Sequence, residues 1–202
     1  MTSEITISAR FNGPPTSGNG GYSCGVLANL VAGSARVRLH VPPPLETPMQ
    51  VVCDEQGGVQ MYQGDTLVGS GGPMDYALDI PPAPSMAEAE AAMVGFPCYH
   101  DHVFPTCFVC GPQREAGDGL RLFPGPVGEG PVMACTWQPA ADLLDEQGYV
   151  LAEVVWSALD CPGFFAAMQG NLRPAVLGQL EGEIRSPVPG EHPLVVYCWP
   201  LG

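Results

Sequence analysis

Residues 10–28 read RFNGPPTSGNGGYSCGVLA. The first half of this stretch cannot sustain regular structure. Asn12-Gly13-Pro14-Pro15 ends any strand before it, because proline lacks a ladder N–H and fixes its own φ. Beyond Gly18-Asn19-Gly20-Gly21 the pattern changes. Tyr22, Val26, Leu27, Leu30 and Val31 fall at i, i+4, i+5, i+8 and i+9, one face of a helix. Asn19 stands where an N-cap belongs, and Gly33 supplies a stop. A helix that begins this way offers free backbone N–H groups and the positive end of its dipole. The glycines admit two readings. They let a ligand oxygen approach the Gly20–Tyr22 amides closely, or they serve only close packing of the helix start against a sheet.

Outward from this helix the chain reads mostly as strands. Residues 5–11 alternate apolar and polar, as do 36–41. Residues 49–53, 59–62 and 66–68 are short strands joined at Gln56-Gly57-Gly58 and Gly64-Asp65. Ser85 followed by Glu88 is a capping box, which predicts a connector helix over 86–94 ended by Gly95. A Cys- and Gly-rich linker spans 97–130. Residues 132–137 form a strand. Residues 151–168 form an apolar helical stretch, interrupted at Pro162-Gly163. Residues 176–185 alternate again.

A phrase recurs. Pro42, Pro44, Glu46 and Pro48 match Pro187, Pro189, Glu191 and Pro193, each pair 145 positions apart. At the same spacing Leu39 meets Ile184 and Val51 meets Val196. Both phrases follow a helix and a strand, which points to an internal duplication. If the first repeat ends near Asp79, the second is expected to be cut short at residue 202. Much of the chain's 26 Gly and 23 Pro is then accounted for by helix starts, turns and the duplicated phrase.

Charge narrows the function. Seven basic residues, all arginine, face 21 acidic ones, for a formal net charge of −14. Such a chain has no broad basic face for nucleic acid or for anionic lipid. Hydrophobic residues make up 46% of the chain and charged residues 14%, enough for a packed core. No segment reaches the ~18 apolar residues that span a bilayer, and residues 1–10 lack a signal pattern. The expected setting is soluble and cytoplasmic. There the eight cysteines are buried thiols or metal ligands rather than disulfides.

Three phrases resemble a family of acyl-CoA thioesterase-like hotdog proteins: RFNGPPTSGNGGYSCGVLA (10–28), FPTCFVCGPQREAGDGLRLFPG (104–125) and VWSALDCPGFF (155–165). The resemblance covers about residues 8–190. It implies an α+β double hotdog, two curved antiparallel sheets each wrapping a long helix. Residues 1–80 are the first unit, 81–130 the connector helix and linker, and 131–202 the second unit. The family also implies an acyl-CoA or related thioester bound where the two units meet, and a homodimer.

Thioester hydrolysis needs a polarised carbonyl and an activated water or carboxylate nucleophile. Asn19 and Gly21 are catalytic candidates at the helix start, with Gly20 and Tyr22 as substrate contacts. Asp160 is the third catalytic candidate. It lies in the apolar phrase 154–161, where a carboxylate needs a partner or a raised pKa. It activates water or attacks the thioester, or it simply caps a helix beginning at Pro162. Glu153 reads as a solvated helix position. Coenzyme A carries phosphates, and without lysine they must meet arginine or backbone amides. Arg114 and Arg121, beside the turn at Gly117-Asp118-Gly119, are the substrate-binding candidates, with Arg10 and Arg173 behind them. The four histidines, His40, His100, His102 and His192, all lie far in sequence from a helix start. That weighs against a hotdog hydratase or dehydratase. A non-catalytic acyl-CoA binding protein remains the other alternative.

Cys98-x-His100-x-His102-x4-Cys107-x2-Cys110 has metal-ligand spacing. Cys107, Cys110 and His102 are the candidate ligands of a structural zinc, with Cys98 or His100 as a fourth. No cofactor is required for catalysis. Buried apolar thiols or a redox pair explain the same residues. Cys24, Cys53, Cys135, Cys161 and Cys198 sit in apolar runs and read as core.

Overall fold

The computed structural model describes residues 2–75 and 77–201. Asn19 caps the first helix, α1 (Gly20–Ala28), with its side chain accepting the Tyr22 N–H. The helix is shorter than its apolar face predicts. Leu30 and Val31 continue it only as a tight turn, bonded back to the Leu27 and Ala28 carbonyls. The strand expected over 5–11 is β1 (Thr2–Ile5) followed by a 3-10 turn, Ala9–Phe11. Ser8 Oγ accepts the Arg10 N–H there, the local bond by which serine competes with a ladder.

The remaining strands of the first half follow their sequence periods: β2 (Ala35–Leu39), β3 (Met49–Cys53), β4 (Val59–Gln63) and β5 (Thr66–Pro73). Helix α2 (Met86–Ala92) carries the complete Ser85/Glu88 capping box. It precedes β6 (Gly125–Pro126) and β7 (Met133–Trp137). Helix α3 (Ala152–Met168), β8 (Gln179–Gly182) and β9 (Leu194–Cys198) complete the order. All strand pairings are antiparallel. One sheet runs β1-β3-β4-β5-β2-β8 and a smaller one β6-β7-β9.

Helix α3 is not interrupted at Pro162, which lies inside it. An interior proline costs about 3 kcal/mol. Burial of Val154, Trp156 and Ala158 before it, and Phe165 and Ala166 after it, opposes that cost. Asp160 therefore caps no helix starting at Pro162.

Two cores result. Leu27, Val37, Met49, Val51, Met61 and Val68 pack between α1 and the large sheet, joined there by Trp156 of α3. Phe108, Val109, Leu122, Trp137, Leu143 and Phe165 form the other. Phe108 and Val109 belong to the stretch expected to be a linker, yet both are fully buried. Their backbone is pinned by Phe108 N–H to the Asn12 carbonyl and by Leu122 N–H to the Val109 carbonyl.

The recurrence in the sequence is accompanied by recurring backbone bonds. Asn19 N–H donates to the Phe11 carbonyl, as Leu151 N–H does to Leu143. Gly18 N–H donates to the Pro43 carbonyl, as Val150 N–H does to Val188. Ser17 bridges Pro44, and Tyr149 bridges Pro189. Ile5 faces Met49 across β1 and β3, and Trp137 faces Leu194 across β7 and β9. Before the helices the partners stand 132 apart, as Asn19 and Leu151 do; after them they stand 145 apart, as Pro44 and Pro189 do. The difference is absorbed by the longer α3 and the longer connection to β8. Helices α1 and α3 cross at Gly21 and Gly25. Side chains added there would lie 2.8 Å from Ser157 Cα and 2.6 Å from Glu153 Cα.

Candidate functional site

Asp160 lies near the middle of α3 and reaches the start of α1. Its Oδ2 accepts the Gly21 N–H at 2.9 Å and Asn19 Nδ2 at 3.1 Å. The bond to Gly21 is possible because that residue has no side chain: a Cβ there would stand 2.6 Å from Asp160 Cβ. Asp160 Oδ1 has no partner among the described residues, and no sealed side-chain oxygen or nitrogen among them is unpaired. Oδ1 is thus open, and the opening is a cavity of about 700 Å³ that Asp160 borders. Burial pushes the Asp160 pKa up to about 7, against the pull of the Gly21 amide. The Cys107 thiolate adds to the rise, and Asn19 opposes it.

The helix-start amides divide their work. Gly21 N–H serves Asp160, and Tyr22 N–H serves Asn19 Oδ1 at 2.9 Å. Gly20 borders the cavity, and its N–H has no acceptor among the described residues. The Tyr22 ring does not border it. It stacks on Phe11, centroids 4.0 Å apart, and packs edge-on against Phe108. Burial, with Glu153 adding to it, pushes the Tyr22 hydroxyl up to about 12. Glu153 accepts Asn29 Nδ2 at 2.8 Å and ties the end of α1 to the start of α3.

The expected phosphate contacts lie elsewhere. Neither Arg114 nor Arg121 borders this cavity. The Arg114 guanidinium is nearly buried and bonded to the Thr106 and Arg10 carbonyls, to Asn12 Oδ1 and to Asp118. Arg121 bonds the Arg114 carbonyl and lies over the Phe123 ring. Both hold the 97–130 stretch together. Arg173 is exposed at the cavity, without a bond among the described residues. His40 and His102 also border the cavity, so distance in sequence concealed their approach.

The cysteines assemble differently from the sequence spacing. Cys107, Cys110 and Cys161 place their sulfurs within 4.8 Å of one another in the cavity wall. Cys98 and His100 are not in this group. Cys161, read as core, was concealed because it arrives from α3, 51 positions after Cys110. Thiol contacts from Cys110 and then Cys161 hold the Cys107 thiol well below its usual range, against burial. The same contacts push Cys110 and Cys161 up. Burial lowers the His102 pKa.

No protein-family model and no curated protein matches the chain. Among solved structures it is similar to a proposed thioesterase II of Thermobifida fusca YX. The TM-score is 0.59 at 15% identity, over 97% of this chain and 81% of that one. It is also similar to the tesB protein of Mycobacterium avium subs paratuberculosis. There the TM-score is 0.54 at 15% identity, over 96% of this chain and 78% of that one. The chain shares their fold. In this chain the start of α1 lies against the middle of α3, which brings Asp160 to Asn19 and Gly21.

Proposed function

We propose that this chain is a double hotdog thioester hydrolase acting on acyl-CoA or a related acyl thioester. Residues 1–80 and 131–202 are the two units, and 81–130 joins the second, where β6 pairs with β7 and α2 packs on β7 and β9. The matched bonds of the two halves support the architecture. One observation carries the activity: the Asp160 carboxylate is clasped at the start of α1 by one oxygen and open to a large, mostly apolar cavity by the other.

The acyl chain lies along Leu39, Phe164, Leu172 and Leu177 of the cavity wall. The thioester oxygen meets the free Gly20 N–H at the positive end of α1. Asp160 Oδ1 takes a proton from a water as its oxygen bonds to the carbonyl carbon. The carbon–sulfur bond then breaks, and the proton passes from Asp160 to the departing thiolate. Asn19 and the Gly21 amide orient the carboxylate throughout. Arg173 meets the phosphates of the carrier.

The test is hydrolysis of an acyl-CoA panel with free-thiol detection. Asp160→Asn retains an acceptor for the Gly21 N–H, so α1 keeps its start. The expected result is thiol release reduced by about 10²–10⁴-fold with acyl-CoA binding retained. Binding without release at every chain length, in the wild-type protein, would overturn the reading in favour of a carrier.

A further inference from the structure

The three clustered thiols have the geometry of a metal site. In the Cys107-x2-Cys110 loop, Gly111 N–H donates to the Cys107 carbonyl at 2.9 Å. A side chain at position 111 would stand 2.5–2.6 Å from the Cys107 backbone, so only glycine closes this turn.

Distance separates a metal from a disulfide. Cys107 and Cys161 hold their sulfurs 3.8 Å apart. A disulfide needs about 2.05 Å. Two thiolates each about 2.3 Å from one tetrahedral Zn²⁺ stand about 3.8 Å from one another.

His102 takes a different part from the ligand role its spacing suggests. Its Nδ1 accepts the Phe104 N–H at 3.0 Å, so the neutral ring carries its proton on Nε2. That nitrogen lies 3.2 Å from Cys110 Sγ and is a donor to sulfur. Among the described residues no further histidine nitrogen, thiol or carboxylate oxygen joins the group of three.

We infer that Cys107, Cys110 and Cys161 bind one Zn²⁺ through three thiolates, with His102 donating to the Cys110 sulfur and the fourth coordination position facing the cavity. Binding releases to solvent the protons of those thiols that coordinate as thiolates. The ion ties the Cys-rich loop to α3 beside Asp160, and its open position takes water or a small exogenous ligand.

The experiment uses the reduced, metal-free full chain. It is titrated with Zn²⁺ against a chromophoric chelator, and X-ray absorption of the loaded wild-type protein counts sulfur neighbours. One equivalent, three sulfurs and no histidine nitrogen are expected. Cys161→Ser weakens binding at least 100-fold, Cys98→Ser leaves it unchanged, and His102→Gln weakens it about 10–100-fold. Less than a tenth of an equivalent overturns the site. So does undiminished affinity in Cys161→Ser, or a shell with fewer than three sulfurs or a histidine nitrogen. The sulfur count comes from the wild-type chain, so a variant that fails to fold leaves it decisive. No substrate enters these measurements, so their failure leaves thioester hydrolysis standing.

Discussion

Asp160 Oδ2 takes one hydrogen bond from a backbone amide of α1 and one from that helix's N-cap side chain. A carboxylate from one helix thus completes the capping of another. Asn19 was legible as an N-cap because its chemistry is local: side chain to amide three residues on. The need of Asp160 for a partner was also legible, since an apolar run does not hold an unpaired carboxylate cheaply. Its partners were not, because they lie 139 and 141 positions away. The arginines show the same limit. Position beside a glycine turn marks Arg114 and Arg121, yet backbone carbonyls, Asn12 and Asp118 occupy them. Arg173 is the one the fold leaves at the cavity. Arg173→Ala is expected to raise KM for acyl-CoA several-fold, with kcat little changed. For the matching acyl-pantetheine, which lacks the nucleotide phosphates, KM should not move. Steady-state kinetics on the two carriers decides this, and an equal rise on both would remove Arg173 from carrier recognition.

Elements were readable where one period dominated. The strands β2 to β5 and the capping box of α2 follow from alternation and from Ser85/Glu88. Helix α3 runs through Pro162 because propensity is a local preference, whereas the apolar face of α3 is buried on both sides of the proline. The crossing of α1 and α3 shows how composition becomes geometry. Gly21 and Gly25 are four residues apart on one face, so the α3 backbone comes closer than any Cβ would allow. Gly25 does not border the cavity, so its replacement isolates this packing. Gly25→Ala places a methyl 2.6 Å from Glu153 Cα and should cost about 1–3 kcal/mol by denaturant unfolding. An unchanged midpoint would mean that the helices separate without cost.

Over the whole molecule, the repeated proline phrase falls on segments that the structure pairs alike in the two halves. The change of spacing from 132 to 145 was hidden, because the longer α3 lies between the matched segments. With both spacings known, two ion pairs take on meaning. Arg36 faces Glu181 where β2 meets β8, and those two positions correspond to each other in the repeat. Arg10 pairs with Asp142, and they also correspond. In a symmetric dimer of identical chains each such residue would face its own copy, charge against like charge. Within one chain the first half carries arginine at both places and the second half an acid. The β2–β8 pairing joins the two halves inside one chain, so a homodimer would have to use another surface. The Arg10 guanidinium holds the Asp142 carboxyl below its usual range. A lowered folded pKa lends stability above the unfolded value of about 4 and loses it as pH falls through the folded one. Asp142→Asn should therefore cost under about 1 kcal/mol at pH 7 and nothing at strongly acid pH, since the pair is partly exposed. Arg36→Glu puts two acids opposite each other on neighbouring strands, and Glu181→Arg two arginines. Each single change should destabilise by a few tenths of a kcal/mol, and the double swap should restore the wild-type midpoint. A double variant no more stable than the sum of the two singles would show that these positions do not interact where β2 meets β8.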